Sequence, residues 1–198
     1  MSYEEVIDSL LEKHQSVPHL KRLLKPMRKG FRPKSPKDID KATFVSTLLW
    51  VIGFDGDAIL LLRYVETHTS TEGGARNIYG SLAFCRLVLA QIYEERGEPA
   101  EVLNLMSQDD IDAGFNLAVD SNPVREILHV NYGDWNYLDN DPETTPKVRL
   151  QSAYFMLLTS IVLIRRFDEV AERTTASDKK LLDDTYQKFK EILRSMLD

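Results

Sequence analysis

The sequence predicts an all-α protein of stacked antiparallel helical hairpins, either an α–α superhelix or an irregular helical bundle. Apolar residues recur at three- and four-residue intervals through most of the chain, the period of a helix with one buried face. Glycines, prolines and polar clusters separate these runs, and no stretch shows the alternation of a half-buried strand. At 198 residues, 43% hydrophobic and 28% charged, the chain is long enough to bury one core without covalent staples. The expected organisation is a single domain over 1–198, with a basic connector at 25–37 and an acidic-aromatic loop at 131–146.

The first helix follows from Tyr3, Val6, Ile7, Leu10 and Leu11, with Ser2 as N-cap and Glu4 and Glu5 at the positive end of its dipole. A short second helix is expected over Pro18–Leu24, failing near Pro26 and Gly30, with Pro33 and Pro36 making the next stretch extended. The helical pattern resumes at Lys37 and runs through Ile39, Phe44, Leu48, Leu49 and Val51 to Gly53. Gly53 suits a left-handed helix end, and Asp55 suits the cap of the helix from Ala58 to about His68. Ile78, Leu82, Cys85, Leu89 and Ile92 then give the strongest helical stripe, from Gly74 to Arg96, widened by Phe84, Leu87 and Val88. Gly97 ends it, and Pro99 opens a helix carrying Val102, Leu103 and Met106. Shorter helices are expected at 109–119 and 123–130. Gly133, Asn140, Pro142 and Pro146 punctuate the long loop that follows. Two long helices close the chain. One runs from Lys147 to about Arg173; the other, capped by Ser177, aligns Leu182, Tyr186, Phe189, Leu193 and Met196.

Composition narrows the function classes. One cysteine, Cys85, leaves no internal disulfide framework and no multi-cysteine zinc site, which fits a reducing, cytoplasmic setting. Met1–Glu5 lacks the basic start and apolar run of a secretory signal. The apolar stretch Ala153–Ile164, interrupted by Thr159 and Ser160 and followed by Arg165 and Arg166, reads as a buried helix and not as a membrane span. A net charge of −6 argues against nucleic acid as the main partner. Yet Lys21, Arg22, Lys25, Arg28, Lys29, Arg32, Lys34 and Lys37 occur without one intervening acid, so the remainder is strongly acidic.

Three turns share a form: Gly53-Phe54-Asp55-Gly56-Asp57-Ala58, Gly97-Glu98-Pro99-Ala100-Glu101-Val102 and Arg166-Phe167-Asp168-Glu169-Val170-Ala171. Each resembles the turn of a tetratricopeptide repeat. Leu89, Ala90, Tyr93 and Gly97 stand where that repeat wants a leucine, a small residue, an aromatic and the turn glycine. Spacing departs from its regular period of about 34 residues, Arg86 replaces a common aromatic, and Val102 replaces alanine. The resemblance covers about half the chain and implies hairpins that are each half-buried until they stack.

No catalytic or cofactor motif emerges. No two of His14, His19, His68 and His129 have zinc-protease spacing, and surface or capping roles suit them. Cys85 lies on an apolar seam, as a small core residue does. Gly73-Gly74 and Gly80-Ser81 lack the lysine and hydroxyl of a phosphate loop and read as turn and helix-packing glycines. The acidic loop misses the calcium-binding pattern of an EF-hand. An enzyme would need groups that meet only in three dimensions, such as His129 with Asp134 or His68 with Glu72.

Two segments therefore hold the functional expectations. In the acidic loop, Asp134, Trp135, Tyr137, Asp139, Asp141 and Glu143 interleave aromatic anchors with steering charges. With Asp109, Asp110 and Asp112 they suit a basic protein partner. The expected function is a non-enzymatic, cofactor-free protein-binding module. Analogy with small, acidic bacterial immunity proteins sharpens this to covering a toxin's active site. The alternative is nucleic-acid contact through Lys25, Arg28, Lys29 and Arg32, with Phe31 offering one stacking face.

Overall fold

The computed structural model describes residues 1–70, 76–105, 144–165 and 175–197, and every regular element among them is helical. The chain up to Met196 separates into two compact units, Met1–Gly114 and Phe115–Met196. The first contains α1 (Tyr3–Lys13), α2 (Pro18–Leu24), a 3-10 helix (Lys25–Lys29), α3 (Pro36–Val51), α4 (Asp55–His68), α5 (Arg76–Glu95) and α6 (Pro99–Leu105). The second contains α7 (Pro146–Arg165) and α8 (Ala176–Ser195).

Helix α1 begins where the sequence places it. The Ser2 hydroxyl accepts the Glu5 N–H at 3.2 Å, and the Glu5 carboxylate accepts the Ser2 N–H at 2.6 Å, a reciprocal capping box. Tyr3, Val6, Ile7 and Leu10 form its buried face. Helix α2 starts on Pro18, whose missing N–H costs nothing in a first turn. Pro26 cannot donate to the next α-type bond, and the chain continues from Lys25 as the tighter 3-10 helix until Gly30 turns it.

Helices α3–α4 and α5–α6 form two successive hairpins with the same turn. Gly53 donates to Trp50 and Phe54 to Leu49, both at 2.9 Å. Gly97 donates to Glu94 and Glu98 to Tyr93, again both at 2.9 Å. These are the paired bonds of a Schellman motif, which satisfy the last carbonyls of a helix. They need a positive φ, and Gly53 and Gly97 have φ of 91° and 72°. Asp55 does not cap α4. Phe54 is the N-cap, without a side-chain bond, because the Schellman turn leaves its carbonyl free to accept Asp57 and Ala58. Asp55 and Asp57 instead sit in the first turn, where their charge suits the helix dipole.

The first hairpin packs on the second mainly through α3 against α5 and α4 against α5. Val45, Leu48, Leu49, Leu61, Leu62, Leu87 and Leu89 are wholly buried. A polar seam flanks this core: Arg63 donates to Tyr93 at 3.1 Å and pairs with Glu101, and Arg86 pairs with Glu66 at 3.3 Å. Asp57 also ties the hairpins to α1, accepting from Lys13 at 2.7 Å and meeting the buried His14 ring at 2.9 Å.

In the second unit α8 has one sharply apolar face of Leu182, Tyr186, Phe189 and Leu193, and it packs on α7. Thr175, not Ser177, caps α8. The Thr175 hydroxyl accepts the Asp178 N–H at 3.2 Å, and Asp178 accepts the Thr175 N–H at 2.8 Å. The residue three beyond Ser177 is Lys180, which has no carboxylate to return such a bond. Among the described residues α7 alone is long and apolar enough to cross a membrane, by length and composition, with a mean hydropathy of 1.3. It gains that length from Pro146–Ser152, ahead of the apolar stretch itself. Its Ala153, Leu157, Ile161 and Val162 are wholly buried within the protein, as in any core helix.

Candidate functional site

The basic connector is folded back on the body by side chains at both of its ends. Gly30, at φ 97° and ψ 169°, lies in a region open essentially to glycine alone, and it reverses the chain after the 3-10 helix. Phe31 then packs its ring against Tyr3, with centroids 5.4 Å apart, and edge-on to Tyr64 at 6.0 Å. Tyr3 and Tyr64 are 5.3 Å apart, and Tyr64 stacks on His68 at 3.9 Å. The stacking face of Phe31 is thus engaged inside the protein. Ser70 donates to the Pro33 carbonyl at 3.0 Å and pins the connector to the end of α4.

Internal ion pairs engage half of the four cations expected to hold phosphates. Arg28 meets Asp8 of α1 at 2.6 Å. Arg32 donates to the two carboxylate oxygens of Asp38 at 2.7 and 3.0 Å, and its backbone N–H adds a third bond at 3.2 Å. These donors hold the Asp38 carboxyl below the usual carboxylate range, the Arg32 side chain contributing most. Asp38 also holds Arg32 more firmly protonated. Both pairs are solvent-accessible, so they add little to stability and serve chiefly to fix geometry. Lys25 and Lys29 are exposed and form no ion pair among the described residues.

Next to this clamp lies a cavity of about 350 Å³, lined by Tyr3, Pro26, Met27, Lys29, Gly30, Arg32, Asp38 and Lys41. Three separate stretches build it: the start of α1, the 3-10 helix with the connector up to Arg32, and the first turns of α3. Lys41 forms no ion pair among the described residues. Burial pushes its ammonium pKa down; nearby Asp38 opposes that shift, while Lys37 and Lys29 reinforce it. Tyr3 is 6% exposed, and burial, followed by the charges of Asp38 and Tyr64, raises its phenol well above the ordinary range. Its hydroxyl therefore stays a donor. With Arg32 and Asp38 cancelling, Lys29 and Lys41 leave the cavity a surplus of two positive charges.

Of these lining residues the sequence singled out Lys29 and Arg32, as candidate nucleic-acid contacts with Lys25 and Arg28, and it gave no sign of a cavity or of Tyr3, Asp38 and Lys41 as site residues. One usable signal existed. Ser35-Pro36-Lys37-Asp38 has the form of a capping box, and the Ser35 hydroxyl does accept the Asp38 N–H at 3.3 Å. That placement aims Asp38 back toward the connector. Lys41, one turn after Lys37, shares its helix face.

The other candidates are quickly placed. His14 is the C-cap of α1 and is buried, with its ring 4.3 Å from Phe54. His19 is exposed, and His68 lies in the last turn of α4. Cys85 is fully buried; its thiol donates to the Leu62 carbonyl at 3.5 Å, and burial pushes its pKa up to about 12. It is a core residue, with no thiolate character at neutral pH. Gly80 and Ser81 lie inside α5. Gly73, Gly74, Glu72 and His129 lie outside the described residues, as does the third turn, from Arg166 to Ala171. So do Asp109, Asp110, Asp112, Asp134, Trp135, Tyr137, Asp139, Asp141 and Glu143. Among the described residues no three histidine, cysteine or acidic side chains converge as a metal site would require. Compared with protein families, curated proteins and solved structures, the chain matches none.

Proposed function

We propose that the chain is a non-enzymatic protein-binding module, which uses stacked helical hairpins as scaffold and its acidic surface to meet a basic partner. The observation that supports it most is the repeated hairpin. Two consecutive helix pairs close with the same Schellman bonds at Gly53 and Gly97, and α5 packs on both helices of the preceding pair. Hairpins stacked in this way offer continuous surfaces for another chain. The net charge of −6 and the internal pairing of Arg28 and Arg32 favour a basic partner over an acidic one. In its sharpest form the reading is an immunity protein, with the acids of 109–112 and 134–143 capping a toxin's basic cleft.

Purification of the tagged chain from its native host at low salt tests this. A stoichiometric basic partner should co-purify and be lost as salt rises. Trp135→Ala with Tyr137→Ala should weaken the complex by about 2 kcal/mol or more, as expected of aromatic anchors. Absence of any stoichiometric protein partner would overturn the reading.

A second reading, nucleic-acid contact, keeps one observation in its favour: Lys25 and Lys29 are exposed and outside any described ion pair. It requires a salt-sensitive shift on nucleic acid at low ionic strength. Lys25→Gln with Lys29→Gln should then reduce the slope of log affinity against log salt by about 1.8.

A further inference from the structure

We propose that the cavity between the 3-10 helix and α3 is a binding site for a small-molecule phosphate monoester, with Lys29 and Lys41 taking the phosphoryl group and Tyr3 donating to it. The site stands apart from the protein-binding surface proposed above and does not rest on it.

Four features of the cavity converge on that ligand. Its volume of about 350 Å³ falls within the range of small-molecule pockets, about 300–1,000 Å³. Its charge is unbalanced. Asp38 is bound to Arg32 through two side-chain bonds and one backbone bond, and although its charge also supports Lys41, one carboxylate against Arg32, Lys29 and Lys41 leaves two positive charges in surplus. Two surplus positive charges match the charge of a phosphate monoester near neutral pH, about −1.5 to −2. A phosphodiester brings only one charge per phosphate, which leaves one of the two positive charges unmatched.

The donors are also preset. Tyr3 is fixed by its rings on Phe31 and Tyr64, and its hydroxyl has no hydrogen-bond partner among the described residues. The Arg32–Asp38 clamp holds the connector against the start of α3 beside the cavity. Lys41 stands where burial and two other lysines disfavour its charge, and an incoming dianion relieves both penalties. Finally, Pro26 and Met27 supply an apolar wall beside the cations, which suits the organic part of an ester. The pocket therefore combines the two halves of such a ligand.

Calorimetric titration of the full chain at low salt tests the assignment, with inorganic phosphate, adenosine monophosphate and a ten-residue thymidine oligonucleotide as probes. The two monoanion-to-dianion probes should bind with one-to-one stoichiometry, the nucleotide more tightly because it also meets the apolar wall. Lys29→Gln and Lys41→Gln should each weaken that binding about tenfold or more, the loss expected for one charge-assisted contact. Lys180→Gln, on α8 and absent from the lining, should leave it unchanged. Lys29 is exposed, so its substitution keeps the test decisive even where Lys41→Gln impairs folding. Three results would overturn the assignment: no saturable binding of either phosphate probe, affinity retained in both lysine variants, or an oligonucleotide that binds more tightly than the monophosphate.

Discussion

Among the described residues of the first unit three glycines have positive φ, and they divide into two kinds. Gly53 and Gly97 each end a long helix with the same two backbone bonds, and the next helix starts at once. Gly30 ends a five-residue 3-10 helix with a single bond to Met27, 3.2 Å long, and no helix follows directly. What holds the chain after Gly30 is a set of side chains from elsewhere: Tyr3 and Tyr64 on Phe31, and Asp38 on Arg32. The hairpins are thus locally encoded and the connector is tertiary. A locally encoded turn repeats and builds a scaffold; a tertiary one encloses a cavity. The two regions should respond differently to substitution.

The largest difference is expected from the shared core. Leu89 is wholly buried on α5, the helix that meets both α3 and α4. Leu89→Ala should cost about 2–5 kcal/mol in chemical denaturation, the sum of lost transfer energy and a cavity. Phosphate binding at low temperature should survive, because none of the lining residues lies on α5. Loss of the pocket at temperatures where the variant remains folded would show that the connector depends on the hairpins more than these contacts imply.

The same contrast explains what the sequence could reveal. Helix positions were legible because each helix carries its own period and its own punctuation. Ser2 with Glu5, Pro18, Gly53, Gly97 and Pro99 all act within a few residues of themselves. The two misplaced caps failed for equally local reasons. A Schellman turn moved the start of α4 to Asp55, and a complete capping box at Thr175 took the place expected for Ser177, which has a lysine three residues on. The cavity was not legible, because Tyr3, Lys29 and Lys41 come together only once α1, the connector and α3 are packed. Basic residues in a run suggested a phosphate grip, but the run alone could not show that Arg28 and Arg32 would be engaged by Asp8 and Asp38. The acidic-aromatic residues of the proposed protein interface lie outside the described residues.

A smaller effect separates the glycines themselves. Apart from the glycine and its chain neighbours, no heavy atom lies within 4 Å of a Cβ built on Gly30, Gly53 or Gly97, so substitution there is a question of backbone energy and not of space. Helix ends of the Schellman type accept asparagine, which tolerates the left-handed region. Gly53→Asn and Gly97→Asn should therefore each cost less than about 1 kcal/mol. Gly30, with ψ 169°, lies where side-chain-bearing residues rarely go, and Gly30→Asn should cost about 1–3 kcal/mol. Thermal or urea unfolding of the three variants measures this. Equal losses at all three positions would erase the distinction between the turns.

The smallest effect isolates the clamp. Arg32→Gln removes the donors that most lower the Asp38 pKa, and because the arginine is exposed the loss in stability at neutral pH should be the smallest of the set. Its pH dependence is more diagnostic than its size. Asp38 has a folded-state pKa below its unfolded value, so it contributes stability above the ordinary carboxylate pKa of about 3.9. That contribution falls away as pH drops from there through the depressed value, where the folded carboxylate finally takes a proton. The stability gap between the unmodified chain and Arg32→Gln should therefore be constant above about pH 5 and close as pH falls below about 4. A gap that persisted in acid would mean that Arg32 acts through packing of the connector and not through the Asp38 charge, and the clamp would lose its electrostatic basis.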